Sequence, residues 1–190
     1  MKINNKKGII LAGGSGTRLH PITKVVSKQL LPIYDQPMIY YPLSTLINSG
    51  VKDILIITKP EDKILFKNLL DNYDDLGVNI DFETQEEPEG IAQAFIIAKK
   101  WLGDSESILI LGDNLFFGID LNLVVSDACE NNKGATIFAY KVDDPSRFGV
   151  IEFDNEKNVI SIEEKPEKPK SNWVATGMYI YDESVVSKVL

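Results

Sequence analysis

In the segment Gly8-Ile-Ile-Leu-Ala-Gly-Gly-Ser-Gly-Thr-Arg18, an apolar run enters a glycine-rich turn that ends in an arginine. Gly13, Gly14 and Gly16 leave backbone N–H groups uncovered, so a polyphosphate can approach the main chain closely. Arg18 adds a planar, permanently charged fork suited to phosphate oxygens. Nucleotide handling is the chemistry such a segment serves. A Walker-type loop is excluded, because no Gly-Lys followed by Ser or Thr occurs in the chain. The dinucleotide fingerprint is excluded too: after Gly14 and Gly16, Leu19 stands where the third glycine belongs. A ligand-free strand-to-helix turn is the plain alternative, and three glycines with an arginine weigh against it.

Chemistry on a polyphosphate asks for cations and a metal-binding carboxylate more than for a proton-transfer pair. The one histidine, His20, beside the glycine turn, fits that demand by its solitude and reads as structural. Lys28 lies in the apolar, proline-flanked run Ser27-Lys-Gln-Leu-Leu-Pro32, whereas a lone lysine is ordinarily a solvated charge. Asp113 follows the apolar run Ile108–Leu111 and Gly112. A carboxylate at the carboxyl end of a central strand can hold a hard divalent cation. A turn-capping aspartate fits the local sequence equally well. Gln85 and Gly90 flank Glu86-Glu-Pro-Glu89, which taken locally is a simple turn with a solvated acidic face. Glu163-Glu164-Lys165-Pro166 ends a strand-like run with charges whose default is solvent exposure.

The elements that must position these groups follow from patterning. Gly8–Leu11, Asp53–Thr58, Ile80–Glu83 and Ile108–Leu111 are short, apolar or β-branched runs that predict strands. Pro37–Ser49, Glu61–Leu70 and Gly90–Leu102 show helical spacing, with Gly50 ending the first. This alternation predicts an α/β fold: a Rossmann-like, mainly parallel sheet flanked by helices. Ligands of such sheets bind outside the carboxyl ends of the strands, where both the glycine turn and Gly112-Asp113-Asn114 fall. Ala135–Val142, Gly149–Phe153, Val159–Ile162 and Met178–Tyr181 predict a β-rich extension that makes the sheet mixed, and Glu183–Leu190 a helix. Lys165–Lys170 reads as an exposed loop, and no repeat or low-complexity tract interrupts the chain.

With 190 residues and 44% hydrophobic content, the chain can bury one proper core. A net charge of −8 and a pI near 4.7 argue against a nucleic-acid surface. They also require local cations to draw in any polyanion. One cysteine, Cys129, permits no internal disulfide, suits a reducing compartment, and reads as a buried small hydrophobe on a helix. Neither a signal peptide nor a membrane-spanning run is apparent, so a cytoplasmic protein is expected.

The ordered blocks Gly13-Gly-Ser-Gly-Thr-Arg-Leu-His-Pro21, Lys28-Gln-Leu-Leu-Pro32, Pro37-Met-Ile-Tyr-Tyr-Pro-Leu-Ser44, Gly90-Ile-Ala-Gln-Ala-Phe95, Leu111-Gly-Asp-Asn-Leu115, Phe138-Ala-Tyr140, Ser161-Ile-Glu-Glu-Lys-Pro166 and Lys170-Ser-Asn172 resemble the sugar-1-phosphate nucleotidylyltransferases, over nearly the whole chain. Within that family the chain is most similar to the thymidylyl-transferring branch. The resemblance implies a single catalytic domain over 1–190, with a nucleotide-binding half (1–115) and a sugar-phosphate-binding half (116–190). It implies Mg²⁺-dependent formation of dTDP-glucose and pyrophosphate from dTTP and glucose 1-phosphate, for deoxysugar synthesis of the dTDP-rhamnose kind.

The nucleotide is expected at Leu11, Gly13, Gly14, Ser15, Gly16, Thr17, Arg18, Lys28, Gln29, Gln85, Gly90 and Asp113, the sugar phosphate at Asn114, Gly149, Glu164, Lys165 and Ala175. Arg18, Lys28, Asp113 and Lys165 are the expected catalytic residues, with Asp113 holding the metal. Ala175 stands where the family often carries valine. Family members run about a hundred residues further. The resemblance places a second metal-holding aspartate and the helices of a homotetramer in that stretch, so the sugar-phosphate half is expected to be incomplete. UTP as donor and a non-catalytic nucleotide-binding fragment stand as the alternatives.

Overall fold

The computed structural model describes residues 6–71, 77–118 and 120–189. The chain forms two compact units, one of Met1–Thr136 with Ile180–Leu190 and one of Ile137–Tyr179.

In the first unit, β1 (Lys6–Leu11) pairs in parallel with β4 (Asp53–Thr58) on one side and with β6 (Glu106–Leu111) on the other. β5 (Asn79–Thr84) pairs in parallel with β4. Ile9, Ile10, Ile54–Ile57 and Ile108–Ile110 are all buried, as strands covered on both faces require. β5 alternates instead, with Asn79, Asp81 and Glu83 exposed, which blunts an edge that could otherwise pair with another chain.

Helix α1 (Tyr40–Asn48) lies between β1 and β4, α2 (Lys63–Leu69) between β4 and β5, and α3 (Ile91–Leu102) between β5 and β6. α1 rides tightly on β1: a Cβ at Gly8 would sit 2.8 Å from Leu46 Cδ1. Ala94, Phe95, Ala98 and Leu102 form the buried stripe of α3, at the spacing of one helical face. α4 (Leu121–Glu130) follows β6 and buries Cys129, and α5 (Val185–Val189) closes the chain.

The first helix starts three residues later than its pattern predicts. Pro37 belongs to a two-strand ribbon, β2 (Pro32–Ile33) with β3 (Gln36–Pro37), and the turn at Met38 and Ile39 leads from it into the helix. The last residue of the predicted helix Glu183–Leu190 lies outside the described residues. None of the described helices is long and apolar enough to cross a membrane.

The connections set the ligand site. From β1 the chain moves to β4 and then outward to β5; from β5 it returns past β1 to β6 on the opposite side. The winding therefore reverses between β1 and β6, and such a switch point opens a crevice at the carboxyl ends of the two strands. Leu11 and Leu111 are register partners, so the glycine turn and Gly112-Asp113 leave the sheet side by side.

In the second unit, β8 (Gly149–Phe153) pairs antiparallel with β9 (Val159–Glu164) and with β10 (Trp173–Tyr181), and β7 (Ala135–Lys141) pairs with β10. β10 begins five residues before the predicted Met178. Trp173-Val-Ala-Thr is itself β-prone, and Trp173 packs on Phe153 with ring centres 5.7 Å apart. The β8–β9 turn is built on Asp154, whose carboxylate accepts the Glu156 and Asn158 backbone N–H groups at 2.9 Å each.

Candidate functional site

The glycine turn is stitched to both neighbouring strands. Ala12 N–H donates to the Ile57 carbonyl at 2.7 Å, and Gly112 N–H donates to the Leu11 carbonyl at 3.0 Å. Gly16 takes a left-handed conformation, φ +60°, and its carbonyl accepts the Thr23 hydroxyl at 2.7 Å. A Cβ at Gly16 would press on Thr23 at 3.1 Å and on the Lys28 stem at 3.4 Å, so backbone and lysine pass closely there. Gly14, Ser15, Thr17, Arg18 and His20 face solvent.

A cleft of about 240 Å³ opens at the switch point, lined by Gly14, Gly16, Thr17, Arg18, Lys28 and Asp113, with Leu19 and Gln29. Lys28 Nζ lies 2.9 Å from Asp113 Oδ2, and Asp113 Oδ1 accepts the Asn114 side-chain N–H at 3.0 Å. The structure thus brings Arg18, Lys28, Gln29 and Asp113 to one cleft. Gln29 is buried and receives the Ser27 hydroxyl on its Oε1 at 2.8 Å. No group of three His, Cys, Asp or Glu side chains with metal-binding geometry occurs among the described residues.

Gln85 is buried against the turn. A Cβ at Gly13 would fall 2.6 Å from Gln85 Oε1, so only glycine admits this amide. Gln85 Nε2 donates to Gln93 Oε1, which also receives the Glu89 backbone N–H at 3.0 Å; Gln93 Nε2 donates to Glu89 Oε2 at 2.9 Å. Gly90, φ +97°, opens α3 in a conformation that disfavours any side chain.

The sugar-phosphate residues Gly149, Glu164, Lys165 and Ala175 fall in the second unit, and three of them meet. A Cβ at Gly149 would lie 3.3 Å from Glu164 Oε2, 3.8 Å from the Ala175 Cβ and 3.8 Å from Ile162. Lys165 turns out of β9 at φ +47°, its N–H donates to the Phe148 carbonyl at 2.9 Å, and its ammonium lies 3.0 Å from Glu164 Oε1. Burial, with the Glu164 carboxylate adding, pushes the Tyr179 phenol above its ordinary range. The 165–170 loop is exposed as expected except at Pro166, which is buried.

Sequence reasoning missed Gln93 and Ile162. Gln93 stands inside the Gly90–Phe95 block, one position from the buried stripe of α3, yet its residue type alone assigns it no role; Ile162 reads as an ordinary strand residue.

Residues 7–190 match the Nucleotidyl transferase family, and the chain belongs to it. It is 54% identical over 180 residues to the glucose-1-phosphate thymidylyltransferase of Neisseria gonorrhoeae, covering 95% of this chain and 62% of the relative. Against the Mycobacterium tuberculosis enzyme of the same name the identity is 51% over 180 residues, with the same shares of 95% and 62%. The chain thus spans about three fifths of the length of the curated relatives it matches. A Bacillus anthracis structure assigned as a glucose-1-phosphate thymidylyltransferase, in complex with sucrose, superposes with a TM-score of 0.89 at 42% identity, covering 96% of this chain and 73% of that one. A UDP-glucose pyrophosphorylase complexed with UDP-glucose superposes with a TM-score of 0.84 at 24% identity, over 97% and 79% of the two chains, a likeness of fold.

Proposed function

We propose that this chain carries the nucleotide-binding and sugar-phosphate-binding parts of a glucose-1-phosphate thymidylyltransferase, forming dTDP-glucose and pyrophosphate from dTTP and glucose 1-phosphate. The observation that carries this reading is the Lys28–Asp113 pair at the mouth of the glycine turn, with Arg18 lining the same cleft. The names borne by relatives at 51% and 54% identity support thymidylyl transfer to this sugar phosphate. Residues 1–115 serve the nucleotide and 116–190 the sugar phosphate in this proposal, and its setting is cytoplasmic.

The reaction is an in-line displacement. A phosphate oxygen of the sugar phosphate attacks the α-phosphorus and forms the new P–O bond. The bond from that phosphorus to the oxygen bridging to the β-phosphate breaks, and pyrophosphate departs with the electron pair. The nucleophile is already anionic, so no strong base is needed; the barrier lies in anion repulsion and in charge on the leaving group. Arg18 holds the departing phosphates and Lys28 the α-phosphate region. Lys165 holds the sugar phosphate, and Glu164 accepts from sugar hydroxyls. Gln85 meets the pyrimidine, whose approach the bare Gly90 backbone allows.

Asp113 suits Mg²⁺: it is a half-open hard oxygen donor, and this ion keeps its waters, taking one or two carboxylates beside substrate phosphates. Bound there with the triphosphate, Mg²⁺ supplies charge neutralisation.

Titration calorimetry with dTTP and with UTP in Mg²⁺, followed by a pyrophosphate-release assay with glucose 1-phosphate, tests the reading. Preferred dTTP binding and sugar-phosphate-dependent release are expected. Equal use of UTP removes the thymidylyl assignment, and binding without release reduces the chain to a nucleotide-binding module.

A further inference from the structure

Gln93 is a half-buried amide on the first turn of α3, and the proposed chemistry gives it no role. Its orientation is dictated by two groups that cannot exchange roles. The Glu89 backbone N–H, which only donates, reaches Gln93 Oε1 at 3.0 Å. The Glu89 carboxylate accepts from Gln93 Nε2 on its Oε2 at 2.9 Å. Turned the other way, the amide would set donor against donor and acceptor against acceptor. Gln93 therefore shows Gln85 an oxygen, and Gln85 Nε2 donates to it.

That bond fixes the polarity of Gln85 in turn. Its backbone is already held, the N–H donating to the Thr58 carbonyl at 2.8 Å. With Nε2 drawn to Gln93, Oε1 is left on the other arm of the amide, beside the glycine turn, 2.6 Å from where a Cβ at Gly13 would stand. Gln85 is 2% exposed, yet among the described residues its Oε1 receives no hydrogen bond. An open acceptor on a buried side chain at a ligand cleft calls for a donor from the ligand. On a pyrimidine that donor is the ring N3–H of thymine or uracil. Cytosine carries a lone pair at N3 and would set acceptor against acceptor.

We propose that Gln93 is a positioning residue: anchored on Glu89, it holds the Gln85 amide oxygen toward the base and makes the site select pyrimidines that carry a hydrogen on N3. This deepens the reading of Gln85 as the pyrimidine contact and rests on it. Without Gln93 the Gln85 amide can turn either way, offering oxygen to thymine or N–H to cytosine. Base selection then fades while the phosphate-binding part of the cleft is untouched. Positioning also predicts coupling: once Gln85 is gone, removing Gln93 changes base selection no further.

The test is calorimetric titration of dTTP, dCTP and inorganic pyrophosphate, each with Mg²⁺, into the wild-type chain, Gln93→Ala, Gln85→Ala, the Gln85→Ala/Gln93→Ala double variant and the exchange Glu89→Gln/Gln93→Glu. The wild-type chain is expected to prefer dTTP to dCTP. In Gln93→Ala that ratio should fall about tenfold, with pyrophosphate bound as in wild type. Alanine suits a helix, so α3 is retained. The exchange keeps every donor opposite an acceptor, a carboxylate at position 93 accepting both N–H groups and an amide at position 89 donating to it. It should recover the ratio, and the double variant should match Gln85→Ala. A Gln93→Ala protein with the wild-type ratio, or with equal losses for all three ligands, overturns the proposal. So does an exchange variant no more selective than Gln93→Ala. A wild-type chain indifferent between dTTP and dCTP, or a Gln85→Ala protein as selective as wild type, overturns the underlying reading of Gln85 instead.

Discussion

Lys28 and Asp113 occupy each other in the described structure, ammonium to carboxylate at 2.9 Å, although 85 residues separate them along the chain. The switch between β1 and β6 brings them together, because the turn after one strand and the carboxylate after the other leave the sheet at the same level. A cation on the carboxylate proposed for the metal means that lysine and metal compete until a triphosphate arrives to take the lysine. Lys28→Ala is therefore expected to tighten Mn²⁺ binding in the absence of nucleotide and to weaken dTTP binding in Mg²⁺. Electron paramagnetic resonance of free Mn²⁺ reads the first effect and calorimetry the second. Mn²⁺ affinity that is unchanged, or abolished, in Lys28→Ala would take Asp113 out of the metal site.

Arg18 faces solvent at the rim of the cleft. Its proposed work is on the terminal phosphates, so its loss should be felt by dTTP and scarcely by dTMP. Arg18→Ala is expected to erase most of the preference for triphosphate over monophosphate and, in a form that turns over, to slow pyrophosphate release by ~100-fold. Arg18→Lys should recover only part, since an ammonium lacks the planar fork. Equal weakening of both nucleotides would move Arg18 to some other contact.

Gly13 and Gln85 define the next outcome. Gly13→Ala would drive a methyl group into the Gln85 amide, where only 2.6 Å is available, and push Gln85 off its bond to Gln93. The fold should survive, because the residue lies in the turn beyond β1, whose pairing with both neighbouring strands does not depend on it. Affinity for dTTP should fall by about tenfold, the scale of a buried hydrogen bond left unmade, while binding of inorganic pyrophosphate stays near wild type. Parallel loss of both ligands in a folded protein would detach Gln85 from the pyrimidine.

The sequence makes the parallel strands and the residues at their carboxyl ends legible because apolar runs bounded by Gly13, Gly90 and Asp113 carry their own signal. The relation between those ends is not legible. That Gln29 turns inward onto Ser27 while Lys28 turns outward to Asp113 depends on a single tight turn, and alternation in Ser27-Lys-Gln-Leu30 carries no trace of it. In the second unit, the Gly149–Glu164–Ala175 cluster follows from strand register, which pairs Gly149 with Glu164, and register is a property of the sheet rather than of any one strand.

Asp182 links two distant parts of the first unit and makes its stability depend on acid. Its carboxylate accepts the Ser184 hydroxyl and the Ser184 N–H, the latter at 3.0 Å, at the head of α5, and the Gly134 N–H at 2.9 Å. These bonds, the Ser184 hydroxyl foremost, hold its pKa below the ordinary carboxylate value of 3.8, with Lys188 contributing. A carboxyl whose folded pKa is depressed stabilises the fold above its unfolded value, and that contribution is lost as pH falls through the folded value. Asp182→Ala should therefore be less stable than wild type in urea denaturation at pH 7, with the difference shrinking as the pH is taken below about 4. The difference closes because the wild-type carboxyl, once protonated, accepts these bonds poorly. A gap of constant size from about pH 7 to about pH 3 would mean that Asp182 acts through packing rather than through its charge.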